Sequence, residues 1–477
     1  MNGGPRAAAT LAVRAALVVG RPIPEVAVHA MIRPALPRYC PAIPAFRCPR
    51  AGVLGVATAL VLLAPRLPAQ GVSGVERGQA SRMLGILQGH LERYYYDSTF
   101  GGRDLDRLAW RAQAAIDTAS SSGSLLGALA QFMQDLNDSH TRFIPPMLTT
   151  EVDYGFGWKA IGDDCFVTLV EKGSDAEAQG LKVGDKLLAM DGIRPTRDNS
   201  GTLFYVYNLL SPRPGLRVLV EGTDSVKRSS LITAKVTRHP QYLNVNNLEH
   251  RRYLRDFLGG SGRLEHRFVT RDSVALWTFT SFGFKDGQID KHMNDARKYP
   301  WLILDLRGNG GGAIEAITRL LGHFFAESHE VMEQRFRDST VKHTVEPRGK
   351  GGPYAGQIVV LTDAESASAS EITARVLQKH RGATVVGDRT MGAVVASRYF
   401  SLADEASGIT VLFGATISGF DILMTDGTRL EGVGVTPNVA ALPTGRDLAA
   451  GSDPVMQFAL EWAGVRVTAL EAAKIWK

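Results

Sequence analysis

From Ser273 onward, short apolar runs alternate with segments of helical periodicity. Val274–Phe279 and Trp301–Leu306 are apolar runs bounded by turns, and Ala313–Phe325 is amphipathic at helical spacing. Further apolar runs at Ile358–Leu361, Val385–Val386 and Ile409–Phe413 flank a helical segment at Glu371–Gln378. Alternation of this kind is typical of parallel sheets, because parallel strands need a crossover connection. The sequence therefore predicts an α/β core.

Two units of different character precede this core. Between Val75 and about Asn137, apolar residues recur at helical spacing in three stretches, which predicts a helical N-terminal cap. Between Tyr154 and Thr237, strand-like runs alternate with turn sequences, which predicts a small β domain. The predicted units are residues 75–150 (helical), 154–237 (β-rich), 263–445 (α/β core) and 446–477 (C-terminal helical tail), with a linker at 238–262.

Composition limits the class of protein. The chain has 477 residues, of which 44% are hydrophobic and 21% charged. These values are ordinary for globular proteins and exclude a wholly disordered, collagen-like or polytopic membrane protein. The net charge is +6, but residues 1–69 contain eight arginines and one acidic residue, so the remainder is close to neutral. We therefore expect no nucleic-acid partner.

The N-terminal segment has the pattern of an export signal. Arg47 and Arg50 precede the uncharged run Ala51–Ala64, and a small-residue cleavage site follows at 67–69. This run fits the apolar region of a signal peptide and is shorter than the roughly 20 residues that span a bilayer. We predict that residues 1–69 are a presequence and that the mature protein is exported, to the periplasm or the exterior. An uncleaved membrane anchor is the alternative.

Cysteine content excludes several kinds of site. Two of the three cysteines lie in the predicted presequence, which leaves Cys165 alone in the mature chain. We therefore expect no intrachain disulfide, no cysteine nucleophile and no cysteine-rich metal site.

The first candidate catalytic segment is Ser366-Ala367-Ser368-Ala369-Ser370-Glu371, between a predicted strand and a predicted helix. A serine at such a turn is exposed, and the helix N-terminus offers unpaired N–H groups to a developing oxyanion. The pattern Ser368-x-x-Glu371 is also a capping box, which a helix can use without any catalysis. This segment alone does not distinguish a catalytic serine from a helix cap.

The second segment is the glycine-rich run Asp305–Gly312, again between a strand and a helix. Its glycines allow close backbone approach and could turn amides toward an anion. The run also fits a dinucleotide fingerprint, Gly308-x-Gly310-x-x-Ala313. That fingerprint needs an acidic residue at the end of the next strand, about 20 residues later. Glu330 and Glu333 are near that distance but do not end a convincing strand.

The third and fourth segments carry a histidine and a carboxylate. Leu136–Thr141 contains Ser139-His140, and histidine is the usual base for activating a serine hydroxyl near neutral pH. A capped turn with a solvent-facing histidine is the alternative. Glu431, within Leu430–Pro437, is an ordinary carboxylate when considered alone.

In their order along the chain and in their amino-acid sequences, these four segments resemble the tail-specific, or C-terminal-processing, serine protease family, whose relatives include the tricorn core protease. The resemblance covers roughly Val75 to Val439 and is strongest at Asp305–Gly312, Ser366–Ile372, Gly387–Gly392 and Glu431–Pro437. It implies a mixed α/β (α+β) fold with a ββα-spiral, crotonase/ClpP-like protease core.

The β-rich unit is similar to a PDZ domain. Its most recognisable run is Gly180–Gly192, and Tyr154-Gly155-Phe156-Gly157 looks like the carboxylate-binding loop of such domains. PDZ domains bind peptide C-termini by strand addition, with loop amides holding the terminal carboxylate. A PDZ fold that serves only as a spacer or regulatory lid is the alternative.

One departure from the family pattern bears on mechanism. Many members use a Ser/Lys dyad with the lysine just after the Thr-x-Gly run, and here that position is Ala393. The tricorn-like branch instead has a histidine directly preceded by serine in the early motif, together with a distant glutamate. Ser139-His140 and Glu431 match that arrangement, so the resemblance implies a histidine-based mechanism.

The resemblance then implies a role for each site residue. Ser368 would be the nucleophile and His140 the base, with Ser139 relaying a hydrogen bond from His140 to Glu431. The amides of Ala369 and of Gly310 or Gly311 would bind the oxyanion. Ser366 and Ser370 are the alternative nucleophiles. No metal or organic cofactor is expected.

The predicted function is a secreted or periplasmic serine endopeptidase that acts on proteins or peptides. The PDZ-like unit would bind substrate C-termini, and no stable membrane span would remain after signal cleavage. Two alternatives stay open: a catalytically inactive relative that binds peptides or other ligands, and a cofactor-binding α/β enzyme that uses the Gly308 loop.

Overall fold

The computed structural model describes residues 72–146, 150–238, 265–285, 287–349, 351–405 and 410–476. The predicted presequence and almost all of the predicted linker lie outside the described residues. Within the described ranges, none of the helices combines the length and the apolar character that crossing a bilayer requires.

A helical unit opens the described chain and confirms the predicted helical periodicity. It consists of α1 (Gly74–Tyr94), α2 (Leu105–Thr118) and α3 (Ser122–Gln134). Each helix begins at a side-chain cap: Ser73, Asp104 and Ser121 each accept a hydrogen bond from a backbone amide of the first turn. The inward faces form one apolar cluster, which also includes side chains of two strands that come late in the chain.

The β-rich unit is a five-stranded antiparallel sheet. The chain forms β1 (Arg142–Ile144), β2 (Thr150–Asp153), β3 (Phe156–Ile161), β4 (Asp164–Val170), α4 (Asp175–Ala178), β5 (Lys186–Met190), α5 (Ser200–Tyr205, continued by a π-turn at Val206–Leu210), β6 (Gly215–Glu221), β7 (Lys227–Thr233) and β8 (Lys235–Arg238). The strand order is β3-β4-β5-β6-β7, so β3 is an edge strand. The last strand of this sheet, β7, ends at Thr233, and β8 leaves the sheet to pair with β2.

The α/β core is built on a six-stranded sheet in the order β18-β15-β14-β11-β10-β9. Its elements, with the adjoining strands and helices, are β9 (His266–Arg271), β10 (Val274–Phe279), α6 (Gln288–Ala296), β11 (Trp301–Asp305), α7 (Ile314–Leu321), β12 (His329–Arg335), β13 (Thr340–Val345), β14 (Gln357–Thr362), α8 (Ala369–Arg381), β15 (Thr384–Gly387), β16 (Ala396–Asp404), β17 (Val411–Met424), β18 (Val439–Ala440), α9 (Gly445–Ala450), α10 (Pro454–Trp462) and α11 (Ala469–Ala472). All neighbouring strands are parallel except β9, which pairs antiparallel with β10. The predicted mixed α/β fold class is confirmed.

Both faces of this sheet are covered, which explains the apolar runs read in the sequence. Side chains from α6, α7 and α8 pack on one face, and those from α10 and α11 on the other. Trp277 and Phe279 of β10 are fully buried on the first face. A second sheet, β1-β17-β12-β13 with β16 paired to β17, joins the core to the helical unit.

Sequence periodicity missed part of the second sheet. It did not predict β12, β13 or β16, and it placed only a short strand at the start of β17. These strands have polar side chains between their apolar ones because one face of each is solvated, so they lack the continuous apolar run of a buried strand. The Thr-Val-rich sequence of β13 is the signal that could have identified it.

The β-rich unit contacts the core through several polar links. The Lys159 ammonium on β3 lies 3.3 Å from Asp363 Oδ2. The Gly162 amide donates to Asp388 Oδ2 at 2.8 Å, and the Arg197 guanidinium pairs with the same carboxylate. Asp363 and Asp388 directly follow the parallel strands β14 and β15, so the unit is attached at the carboxyl edge of the sheet.

A buried arginine fixes the C-terminal helices to the same edge. Arg307 makes paired hydrogen bonds of 2.7 to 2.9 Å to the carboxylates of Asp305 and Asp453. Burial alone would raise the pKa of Asp453, but the guanidinium outweighs it and the pKa lies below its usual value. Asp453 caps α10, so this arginine joins the glycine-rich loop to the tail.

Replacing Arg307 by alanine will destabilise the protein strongly, because two largely buried carboxylates lose their cation. We expect a loss of about 3–5 kcal/mol in the free energy of unfolding, measured by denaturant titration. Arg335→Ala is the matched control: this arginine is exposed and its partner Glu333 is partly exposed, and we expect a loss below about 1 kcal/mol. Equal losses for the two variants would contradict the role given to Arg307.

Candidate active site

Ser368 occupies a strained backbone position between β14 and α8. Its φ is 55° and its ψ is −114°, a region that L residues other than glycine rarely adopt. Residues that cap a helix usually have extended backbone angles, so a cap alone does not require this conformation. Strain at one polar residue of a loop is a recognised feature of functional sites.

The two neighbouring serines have structural partners. The Ser366 hydroxyl donates to the carbonyl of Leu306 at 2.8 Å, and the Ser370 hydroxyl donates to the carbonyl of Asn309 at 2.9 Å. Both side chains are fully buried, whereas Ser368 is partly exposed. These two hydroxyls tie the serine turn to the glycine-rich loop, which leaves Ser368 as the serine open to a substrate.

The glycine-rich loop lies directly against Ser368. A Cβ added to Gly311 would come within 2.7 Å of the Ser368 Cβ and 3.1 Å of the Ala369 nitrogen. The Gly311 amide already donates to Asn309 Oδ1 at 2.9 Å. The amides of Gly310 and Ala369 make no hydrogen bond within the described residues, so of the three predicted oxyanion donors these two are available.

Glu371 is a buried carboxyl group with four donors. Oε1 accepts from the Thr390 hydroxyl and the Gly392 amide, and Oε2 accepts from the amides of Ala393 and Ser368, at 2.6 to 3.0 Å. Burial raises the pKa of this carboxyl, although the hydrogen bonds act in the opposite direction. Sequence reasoning had considered Glu371 only as a capping residue; its second partner set comes from a segment about 20 residues later.

His140 lies in the loop between α3 and β1. Its Nδ1 is 2.6 Å from the Ser139 hydroxyl, and its Nε2 has no hydrogen-bond partner among the described residues. Burial lowers the pKa of His140, while the carboxylates of Glu431 and Asp138 raise it and the Arg142 cation lowers it further. The net lowering favours the neutral imidazole, which is the form that can accept a proton.

Glu431 joins the histidine loop to the segment beside Ser368. Oε1 accepts from the Ser139 amide at 2.9 Å, and Oε2 accepts from the amides of Val394 and Val395 at 2.8 and 3.1 Å. The carbonyl of Ala393, the residue before Val394, accepts a hydrogen bond from the Ser368 amide at 2.9 Å. Serine, histidine and glutamate segments that are far apart in sequence therefore meet in one hydrogen-bonded group.

Two of the expected side-chain contacts are not formed in this structure. Among the described residues, no hydrogen bond joins the Ser368 hydroxyl to the His140 ring, and none joins the Ser139 hydroxyl to Glu431. Glu431 instead contacts Ser139 through the backbone amide. The expected relay through the Ser139 hydroxyl is therefore replaced here by a backbone contact.

The predicted carboxylate-binding loop precedes the edge strand β3. Gly155 has a φ of 69°, and its amide donates to Asp153 Oδ1 at 2.8 Å. The Tyr154 hydroxyl donates to the Arg213 carbonyl, and Phe156 and Gly157 pair with Val170 and Leu169 of β4. The other edge of β3 has no partner strand within the described residues.

The glycine-rich loop does not have the acidic residue that a dinucleotide-binding motif requires at the end of the next parallel strand. Glu330 and Glu333 lie inside β12, which belongs to the second sheet and pairs antiparallel with β13 and β17. Neither stands at the end of a parallel strand beside the loop. The described residues also contain no cluster of three or more His, Cys, Asp or Glu side chains suited to a metal ion.

The α/β core is similar to a known protein family. Residues 273–441, which include the glycine-rich loop, the serine turn and Glu431, match the model of peptidase family S41. This part of the chain is therefore similar to S41 peptidases. His140 and the β-rich unit lie outside the matched residues.

Curated relatives extend the similarity beyond the residues that the family model matches. It is 24% identical over 329 residues to the chloroplastic carboxyl-terminal-processing peptidase 1 of Arabidopsis thaliana, which covers 66% of this chain and 62% of the relative. It is 25% identical over 248 residues to a carboxyl-terminal-processing protease of Synechocystis, covering 50% and 51%. The chain thus matches about half to three fifths of the length of these relatives.

A solved structure shows the same fold. The chain superposes on the crystal structure of mature CPAF with a TM-score of 0.60, covering 79% of this chain and 95% of CPAF at 15% identity. At this identity, the similarity concerns the fold alone.

Gly311→Ala will displace the serine turn, because its Cβ would overlap Ser368 and its φ of 103° disfavours any side chain. We expect the rate of fluorophosphonate labelling at Ser368 to fall about 100-fold, as small misplacements of reacting groups do. Gly310→Ala is the control: no atom lies within 4 Å of its added Cβ, and the backbone N–H is retained. Equal rates for the two variants would show that the close approach of Gly311 has no effect on Ser368.

Proposed function

We propose that this protein is an exported serine endopeptidase in which Ser368 is the nucleophile and His140 the general base. The observation that carries the proposal is the strained Ser368 backbone, held against Gly311 while both neighbouring serine hydroxyls are bound elsewhere. The similarity to S41 peptidases and the names of the curated relatives support peptide-bond hydrolysis as the reaction.

The chemistry follows from the positions of the groups. His140 removes the Ser368 proton through Nε2, Ser368 Oγ attacks the peptide carbonyl, and the imidazolium then protonates the leaving amine. For Nε2 to accept a proton, Nδ1 must carry the other one and donate it to the Ser139 hydroxyl. The amides of Gly310 and Ala369 would hold the oxyanion, each contributing about 10²–10³ in rate.

The Ser368–His140 hydrogen bond has to form when substrate binds. Catalytic hydrogen bonds are often long or misaligned without substrate and shorten in the complex. The backbone links through Glu431 and Ala393 keep the two loops adjacent, so the Ser368 and His140 side chains start from neighbouring backbones.

The second candidate function is a catalytically inactive protein that binds peptides or other ligands. The observation in its favour is that the resting structure lacks the serine–histidine bond and has Ala393 in place of the family lysine. Reactivity of Ser368 separates this candidate from the enzyme, because only an activated serine reacts with a fluorophosphonate.

We propose that the β-rich unit is a PDZ-like domain that binds substrate C-termini along β3. The open edge of β3 supports strand addition, and the glycine loop before it is the expected position for a terminal carboxylate. Because the Gly155 amide already donates to Asp153, binding of a peptide carboxylate there would require this bond to exchange. The apolar run and cleavage pattern of residues 47–69 support the proposed export.

Removing either reacting group will abolish hydrolysis of an unfolded protein such as casein. We expect Ser368→Ala and His140→Ala to lower kcat/KM by more than about 10⁴-fold, because each removes an essential group. Ser229→Ala, at an exposed serine on β7, serves as the matched control and is expected to retain full activity. Mass spectrometry of the fluorophosphonate adduct should locate it on Ser368.

Each assignment can fail separately. Full activity in His140→Ala would rule out this histidine as the base, and an adduct on another serine would rule out Ser368. A native protein that neither reacts nor hydrolyses casein would favour the inactive binding protein.

Peptide binding will depend on a free C-terminus. We expect a ten-residue fluorescent peptide ending in valine to bind the Ser368→Ala variant at least about 10-fold more tightly than its C-terminal amide, because only the free acid offers a carboxylate to the loop amides. Fluorescence anisotropy measures both affinities. Equal binding of the two peptides would show that the loop does not recognise C-termini.

A further inference from the structure

We propose that Asp138 is a second carboxylate of the active site, which positions His140 through one oxygen and stabilises the imidazolium through its charge. The inference rests on the proposed function of His140 and adds a residue to which neither sequence reasoning nor family similarity had given a role. Asp138 contacts the backbone of the histidine rather than its ring, so it is a positioning residue.

One oxygen of Asp138 fixes the histidine loop. Oδ1 accepts from the amides of His140 and Thr141 at 2.9 and 2.6 Å and from the Ser418 hydroxyl at 2.9 Å. Three donors on one oxygen determine the course of the backbone through His140.

The same loop is bound to β17 by three further hydrogen bonds. The Thr141 hydroxyl donates to the Ser418 hydroxyl at 3.2 Å and accepts the Ser418 amide at 3.1 Å. The Thr416 hydroxyl donates to the His140 carbonyl at 2.5 Å. Because Thr141 and Ser418 are buried, this attachment is rigid, and the imidazole is presented from a fixed backbone.

The other oxygen of Asp138 accepts no hydrogen bond from the described residues, although the Tyr95 hydroxyl lies close enough to this carboxylate for the pKa of Tyr95 to be raised by it. Oδ2 is buried and has no hydrogen-bond partner among the described residues. A loop that needed only the Oδ1 acceptor could be built with asparagine, whose amide oxygen accepts the same three donors. Burying an unpaired carboxylate oxygen costs free energy, so the charge itself is the feature that distinguishes Asp138 from an amide.

The negative charge of Asp138 is one of several charges that act on the His140 imidazole. Glu431 and Asp138 favour the protonated ring, whereas burial and the Arg142 cation disfavour it. The titratable groups on the elements packed around this loop are Tyr95, Tyr96 and Asp97 after α1, Arg142 on β1, Tyr205 on α5 and Glu431 after β17. During catalysis His140 must hold a proton in a buried place, and two carboxylates on different elements oppose the cost of that burial.

Asp138→Asn removes the negative charge of Asp138 and keeps the oxygen that accepts hydrogen bonds from the histidine loop. The amide oxygen retains the three donors at Oδ1, and the neighbouring Tyr95 hydroxyl can accept from an amide nitrogen as well as donate to a carboxylate. The pKa of His140 can be measured by NMR from the pH dependence of its imidazole Hε1 signal, in full-length protein carrying Ser368→Ala to prevent self-cleavage. His140→Ala identifies the signal by its disappearance.

We expect Asp138→Asn to lower the pKa of His140 by about one unit, because a nearby anion stabilises the imidazolium. In protein with Ser368 intact, the acidic limb of the kcat/KM profile should move to lower pH by the same amount. Asp135→Asn, at a partly exposed carboxylate paired with Arg111, is the matched control and should change neither value.

An unchanged His140 pKa in a folded Asp138→Asn protein would overturn the inference and leave Asp138 as a structural clamp only. This result is distinct from failure of the proposed function, because the NMR titration requires no activity. Full activity of Ser368→Ala or His140→Ala would contradict the proposed function whatever the titration showed.

Discussion

The burial of the Glu371 carboxyl among four donors is the interaction on which the rest of the site depends. It binds the Ser368 amide on one side and the 390–393 segment on the other, so the serine turn and the segment beside Glu431 form one unit. A fully buried carboxyl is tolerated only when its oxygens are satisfied, and this requirement fixes the geometry of all four partners. The strained Ser368 backbone is held by this arrangement.

Two carboxylates, those of Glu371 and Glu431, bind the backbone at and directly after Ala393. Ala393, at the lysine position, contributes only its backbone, which contacts both Glu371 and Ser368. Glu431 binds the two following amides and the Ser139 backbone, which brings a histidine from the helical unit to the serine of the core. A lysine dyad would keep the base within the core, whereas the histidine arrangement makes the proposed activity depend on how the helical unit packs on β17.

Prediction from sequence succeeded where the local pattern and the tertiary environment agree. Val274–Phe279 is a strand with the predicted bounds, because a strand buried on both faces has an unambiguous apolar pattern. The solvated strands β12, β13 and β16 were missed. The proposed site residues come from the resemblance of their motifs, whereas Asp138 had no predicted role and Glu371 only that of a helix cap, since a buried acceptor has no sequence signature apart from its donors.

The sequence by itself determined the alternation of strands and helices, the glycine positions that allow close approach at residue 311, and the identities of the serine, histidine and glutamate. These properties depend on short-range periodicity, backbone sterics and side-chain chemistry. Only the tertiary structure decided which serine stays open, which amides of the glycine-rich loop are available, and that Glu431 contacts Ser139 through its backbone. Those outcomes depend on hydrogen bonds between residues from 60 to almost 300 positions apart, and such pairings exist only once the chain is folded.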